Sequence, residues 1–309
     1  MMRAPERWAV AVRRPDGVIE AIQHELPRLS SRSRAARVPF VRGVMVLIES
    51  MSLGFRALSW SAQRAGEDEE ELSRRAVIGT MVVAVVFAVA LFIVAPALAA
   101  DALKGFVGDS GLAFVILDGL IRIALVVAYI WAISRAQEIQ RVFEYHGAEH
   151  MTIHAYESGD PLSLEAVGAY SPRHPRCGTS FIMIVALVAF FVFLTLAPLA
   201  FVWQLIARLV LIPVIAGLSY EVLKAAANKP WMAWASRPGM WLQAITTSQP
   251  APDQIEVAIA SLLAALTDEE RTEVDARGAI AAGALVVEYD PEGTIASSSG
   301  ENAADTADG

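Results

Sequence analysis

The sequence predicts an all-α membrane protein of about four transmembrane helices, with a small N-terminal β-hairpin segment and a cytoplasmic C-terminal extension. Three observations carry that prediction. Of 309 residues, 55% are hydrophobic and only 19% charged, a composition too apolar for an ordinary soluble domain. The apolar residues come in long uncharged blocks, and crossing a hydrocarbon core takes about 20 such residues. The first forty residues are rich in Arg and lack an apolar core segment, so no cleavable signal is read and the blocks stay in the protein as spans.

Residues 1–42 read as a soluble segment. Arg7–Arg14 is a strand candidate, Pro15-Asp16-Gly17 a turn, and Val18–Gln23 a second strand that pairs back. Proline presets φ and glycine permits φ > 0, which is why this triplet turns the chain. Residues 43–75 hold an amphipathic helix and an acidic linker. Val44, Leu47, Ile48, Met51, Phe55 and Leu58 fall on one helical stripe that lies on the membrane or against the bundle, and Glu67–Glu71 is a solvated run.

Residues 76–133 form the first transmembrane pair. Ala76–Ala100 has 25 residues without a charge, and Gly111–Ile133 is the second span. The second contains Asp118 and Arg122, four apart on one face. An ionisable pair inside a span is costly unless mutually satisfied, so it should face the bundle interior. Residues 181–223 form the second pair, Phe181–Trp203 and Leu205–Tyr220, with Pro198 at the turn. Residues 224–289 are a C-terminal segment in which Asp253 caps an amphipathic helix, Gln254–Leu266, and a small α/β piece runs to about Tyr289. Residues 290–309, almost without apolar side chains, cannot offset their ordering entropy and should be disordered.

Charge sets orientation. Residues 1–64 carry eleven Arg against five acids, and Thr246 to the end carries thirteen acids against two Arg. The segment between spans two and three has Arg135, Arg141, Arg173 and Arg176, whereas Asp101–Ser110 has a single Lys. By the positive-inside rule both termini and the central loop are cytoplasmic, giving a multi-pass protein of the plasma (inner) membrane. Its partner is the lipid bilayer. No surface resembles a nucleic-acid-binding one, and protein partners are not legible. Trp231, Trp234 and Trp241 read as an interfacial belt.

The chemistry concentrates in residues 134–180, a His-rich helix and loop. Four of five histidines and the only cysteine lie between His146 and Cys177. A helix continuing out of span two, ended by Gly159 and Pro161, stacks His146, His150, His154 and Glu157 on one face. His at i and i+4 can chelate one ion, and H-x-x-E-H (His146 to His150) matches the inverted zincin order with Glu149 as general base. A stiff loop, Ser171-Pro172-Arg173-His174-Pro175-Arg176-Cys177, presents His174 and Cys177 to the same place. Candidate metal ligands are therefore His146, His150, His154, His174 and Cys177, and the candidate catalytic residue is Glu149. Not all five need ligate, because a catalytic zinc site keeps three protein ligands and an open position. The mixed N and S donors favour zinc as the divalent metal and also suit iron. Glu221 could supply a carboxylate ligand or be an interfacial charge.

Several stretches resemble the YqhQ-like family of bacterial membrane proteins. They are Met1–Pro5 with Ala9–Arg13, Arg42-Gly43, Glu49-Ser50, Tyr145–Glu157, His174–Ser180, Ser219-Tyr220-Glu221, Trp241-Leu242-Gln243 with Thr246-Thr247, and Glu256–Ile259. The resemblance covers residues 1 to about 266 and implies membrane location and metal-dependent activity without a substrate class. The family pattern opens with a Gly-Gly-Gln-Ala-Val stretch and a Gly-Val pair before Met-Met. The resemblance therefore implies residues ahead of Met1. Two functional classes stay open: a metal-dependent hydrolase, or a non-enzymatic metal-binding sensor, scaffold or assembly factor whose site is closed by four ligands. Transport, centred on Asp118 and Arg122, is a third, disfavoured by the lack of further polar residues in the spans.

Overall fold

The computed structural model describes residues 1–26, 38, 41–65, 74–107, 110–175, 177–196, 199–282 and 285–289. The acidic run Glu67–Glu71, the Pro198 turn and the tail 290–309 lie outside these residues.

The expected hairpin forms and is part of a larger sheet. After β1 (Met2–Arg3), β2 (Arg7–Arg13) pairs antiparallel with β3 (Ile19–Glu25). Gly17 turns the chain at φ +87°, a conformation that disfavours a Cβ, while the Val18 amide donates to Asp16 Oδ1 at 3.1 Å. β1 adds antiparallel to β2, and β4 (Leu285–Tyr289) adds parallel to β3, giving the order β1-β2-β3-β4. Side chains alternate between faces. Ala9 and Ala21 enter one core, and Trp8, Val10, Val12 and Ile22 enter another on the opposite side.

The second face is covered by α1 (Val41–Arg64), which buries Leu53, Ala57 and Trp60 against it. The apolar stripe read from the sequence turns out to be the outward one: Ile48, Met51, Phe55 and Leu58 are exposed. The helix has two apolar stripes, and the one carrying Trp60 fits the sheet.

α2 (Arg74–Val89), a π-helical segment (Ala90–Val94) and α3 (Ala95–Ala102) run on as one rod. Within it Gly79–Ala102 is long and apolar enough to cross a membrane. After the short α4 (Lys104–Val107), α5 (Gly111–Ile133) coincides with the expected second span, started by the Ser110 hydroxyl accepting from the Ala113 amide at 3.1 Å.

The His-rich helix, α6 (Gln137–Ser158), does not continue α5. The chain breaks at Ser134, whose hydroxyl donates to the Trp131 carbonyl at 2.7 Å, and restarts from an extended Ala136. Gly159 closes α6 in the left-handed conformation, as the sequence indicates. α7 (Leu164–Gly168) is a single turn.

The second pair departs from expectation. α8 (Ser180–Leu194) stops nine residues before Trp203, and its 15 residues reach about 22 Å, short of a hydrocarbon core of about 30 Å. The presumed fourth span is two helices, α9 (Phe201–Val210) and α10 (Ile212–Asn228), bent by 53°. Pro213 is the cause, since its ring clashes with the carbonyl four residues back and it has no N–H to give. Among the described residues, two helices are long and apolar enough to cross a membrane, or three if the bent pair is one span.

A 3₁₀ segment (Pro230–Ser236) leads to α11 (Arg237–Thr246), α12 (Pro252–Ala265) and α13 (Asp268–Ala276). α12 is not amphipathic. Every residue from Val257 to Leu266 is buried, because the helix lies between the sheet and α6 and has no solvent face. Its N-cap is Ala251 rather than Asp253, with the Gln254 side chain accepting from the Ala251 amide at 2.8 Å.

Candidate metal centre

α6 is a seam with two faces. Ala148, Met151 and Ala155, fully buried, pack on α12. His146, His150 and His154 look the other way, toward the loop 171–177 and α11. Two contacts fix that arrangement. Gly147 lets the Ser248 carbonyl approach so closely that a Cβ would sit 2.1 Å from it, and the Ser248 amide donates to the Phe143 carbonyl at 3.0 Å. Gly239 of α11 abuts the start of α8 just as tightly, its Cβ position 2.3 Å from Ser180 Cβ.

The loop is held by a side chain. Gln243, fully buried, accepts from the His174 amide at 2.9 Å and donates to the His174 carbonyl at 3.0 Å. Both backbone groups of His174 are thereby satisfied away from water.

One ligand atom each from His146, His150 and Cys177 lies within 4.8 Å of the others. Nδ1 of His146 lies 2.8 Å from the Thr246 carbonyl, and Nδ1 of His150 lies 2.7 Å from the Pro172 carbonyl. A carbonyl only accepts, so each Nδ1 carries the hydrogen and each Nε2 is left to face the cluster. Metal-ligating histidines are usually oriented in this way. His146 Nε2 is 3.2 Å from Cys177 Sγ. The sulfur also receives the Thr179 amide at 3.3 Å and faces its hydroxyl at 3.1 Å.

This setting makes Cys177 a thiolate. Burial alone would push the thiol up, but the His146 and His150 rings and the Thr179 hydroxyl bring it down to about 5. Burial pulls His146 down, yet the Cys177 sulfur outweighs it and the imidazole is raised above its ordinary value. Without a metal each group favours the other's charged form, thiolate beside imidazolium.

The other predicted residues lie beside this trio. His154 Nε2 donates to the Arg173 carbonyl at 3.0 Å. The His174 ring is 4.5 Å from that of His154 and 5.8 Å from that of His150, with Nε2 3.4 Å from a Glu157 oxygen. The Glu149 carboxylate is half-buried and 2.5 Å from the Met1 amino group. Glu221 goes elsewhere: both its oxygens accept from Arg42 of α1 at 2.6 Å. The supporting groups Gln243, Thr246 and Ser248 escaped functional reading, although the Trp241-Leu242-Gln243 and Thr246-Thr247 motifs marked the stretch.

The family model described as protein of unknown function DUF1385 matches residues 38–268, which take in the whole seam. The chain belongs to this family. It is 34% identical over 282 residues to the uncharacterized protein YqhQ of Bacillus subtilis (strain 168), covering 84% of this chain and 87% of that relative. No solved structure matches. Every residue of the DUF1385 centre just described, apart from Met1, lies inside the matched region.

Proposed function

We propose that this DUF1385 protein is a multi-pass membrane protein with a metal centre at its cytoplasmic face, ligated by His146, His150 and Cys177. The observation that carries the reading is the pair of Nδ1–carbonyl bonds, which aim both Nε2 atoms at one thiolate. The donors fit zinc. Bond lengths of about 2.0–2.1 Å to nitrogen and 2.3 Å to sulfur place tetrahedral ligand atoms roughly 3.3–3.7 Å apart, so a shift of about an ångström at the widest pair closes the cluster. Three protein donors leave a fourth position for water or substrate, which favours a hydrolase over a closed sensor or scaffold site.

A bound zinc would supply Lewis acidity and a water acidic enough to ionise near neutral pH. The chain's own residues do the rest. Thr246 and Pro172 hold the imidazoles in one tautomer, Thr179 stabilises the thiolate, and Gln243 fixes the loop. Glu149, next to His150 in sequence and outside the ligand trio, would take up the proton on releasing the Met1 amino group that its carboxylate holds. The buried His174, 3.4 Å from the exposed Glu157 carboxylate, would pass it on toward solvent. In the membrane reading, Gly79–Ala102, α5 and the bent pair cross, and α8 is a short fourth pass sheltered among its neighbours.

Elemental analysis of the purified chain tests the proposal. About one zinc per chain is expected in wild type, with losses in His146→Ala, His150→Ala and Cys177→Ser. Glu149→Gln should keep the metal yet fail to complement a deletion strain. A metal-free wild type would sink the centre, and metal loss in Glu149→Gln would make Glu149 a ligand rather than a base.

A further inference from the structure

A second buried polar cluster lies within the apolar helices. Asp118 of α5, with no exposed surface, faces two guanidinium groups rather than one. Arg208 of α9, 1% exposed, donates Nη1 to Oδ1 at 3.0 Å, while its Nη2 lies 3.0 Å from Oδ2 as an ion pair without hydrogen-bond geometry. Arg122 approaches both oxygens through Nη2, at 3.4 and 3.1 Å. Both cations also lie over one Phe193 ring, at 4.7 and 5.3 Å from its centroid. Among the described residues the cluster therefore carries one net positive charge. Its donor set is also incomplete: Nε of Arg122 and both Nε and Nη2 of Arg208 have no hydrogen-bond partner.

Position sharpens the imbalance. Arg122 is the twelfth of the 23 residues of α5, at the helix midpoint. Arg208 stands three residues before the 53° bend between α9 and α10. Uncompensated charge in a bilayer is expensive, and a broken helix at mid-depth is tolerated where it is buried in protein or lines a polar cavity. One carboxylate cannot neutralise two guanidiniums, and Arg122 is the more open of the two, with 9% of its side chain exposed against 1% for Arg208. A guanidinium offers planar donors suited to a carboxylate or a small anion.

We propose that Asp118, Arg122 and Arg208 form an intramembrane anion site that takes one small monovalent anion, a halide or a carboxylate, at Arg122. The site rests on the membrane-crossing reading of α5 and is independent of the metal centre. Ligand neutralises the triad and completes the donor set that Asp118 leaves unfilled.

The test uses the full chain, purified in neutral detergent and in neutral-lipid nanodiscs. Its unfolding is followed by tryptophan fluorescence in sodium chloride, nitrate or acetate, against sodium gluconate at equal ionic strength. In wild type, Tm should rise by about 3–6 °C as the anion goes from absent to roughly a hundred times its dissociation constant. Chloride acting without acetate identifies a halide, and the converse a carboxylate. Arg122→Gln leaves one carboxylate with one guanidinium, so its Tm should no longer respond. Arg208→Gln gives the same reading from the other cation should Arg122→Gln not fold. Asp118→Asn doubles the excess charge and should steepen the response. A wild-type Tm indifferent to every anion overturns the site, as do equal slopes in wild type, Arg122→Gln and Arg208→Gln. Alkaline carbonate extraction decides the membrane reading separately, because a chain released from membranes fails that reading whatever its anion response.

Discussion

The two buried polar clusters solve the same problem in opposite ways. Around His146, His150 and Cys177, each group that does not face its neighbours is spoken for: both Nδ1 atoms reach carbonyls and the His174 backbone is clamped by Gln243. Around Asp118 the carboxylate is saturated while donors are left over on both arginines. A satisfied shell around a convergent trio fixes which atoms face one another, so that a small closure completes the geometry. An unbalanced shell stores a demand for charge. Substitutions should therefore act on geometry in the first cluster and on electrostatics in the second.

The largest expected effect is Asp118→Asn, which leaves two buried cations without their carboxylate and should cost about 4 kcal/mol in a denaturant titration. A loss below about 1 kcal/mol would show that water or lipid headgroups already serve the arginines. Gly147→Ala comes next. Its Cβ would collide with the Ser248 carbonyl, a backbone atom, and the overpacking should cost about 2–3 kcal/mol and shift the Thr246 carbonyl away from His146. Unchanged stability and zinc content would mean that α11 docks on α6 more loosely than described.

Gln243→Ala strips both partners from the His174 backbone, at a cost of about 2 kcal/mol, and should weaken zinc roughly 10–100-fold without removing a ligand. Competition with a chromogenic chelator measures it; wild-type affinity would deny the clamp its role. Arg122→Gln is the mild counterpart, expected to change stability by less than about 1 kcal/mol because Arg208 still faces both Asp118 oxygens at 3.0 Å. For a lone Asp118–Arg122 pair, deleting the arginine would be the costly change; the presence of Arg208 reverses that expectation.

The smallest effect concerns pH in metal-free protein. The folded thiol of Cys177 sits near 5, below its ordinary value of 9.0. Between those values the unfolded chain binds the extra proton, so the thiolate's contribution grows as pH rises from about 5 and is lost as pH falls back through 5. His146, raised in the fold, contributes with the opposite sign, fully below its ordinary value and lost as pH rises past the folded one. Thiolate absorbance near 240 nm should titrate with a midpoint of about 5, moving upward in His146→Ala. A midpoint above 8 in wild type would remove the ion pair.

How far the sequence discloses this molecule depends on how local the cause is. The hairpin, the apolar α5 helix, the Gly159 stop and the i, i+4 histidines rest on residues within a few positions of one another, and all are present as expected. Pro213 was visible, but hydropathy averages over its bend. Arg208 looks like a span edge until α9 folds back to lay it on Asp118, ninety residues earlier in the chain. α12 reads as amphipathic because Gln254, Glu256 and Ser261 interrupt its apolar run, yet two of these are buried with specific partners: Gln254 donates to Glu144 and Ser261 to the Ala9 carbonyl. Gln243 offers no local signal, since a glutamine that clamps a distant backbone looks like any other.

The parallel pairing of β3 with β4 has a consequence for synthesis. Ile19 meets Leu285 across 266 positions of chain, and α12, which covers the alanine face of the sheet, is also made late. At roughly 5–20 residues per second, the N-terminal hairpin waits on the order of 10–50 s for the strand and helix that complete it. During that interval the apolar helices emerge and need a home, while the hairpin keeps an open edge and an uncovered face. Such an edge is a template for adventitious strand addition. The hairpin therefore stays exposed to such addition until β4 has been made, because the sheet cannot close before Tyr289 leaves the ribosome.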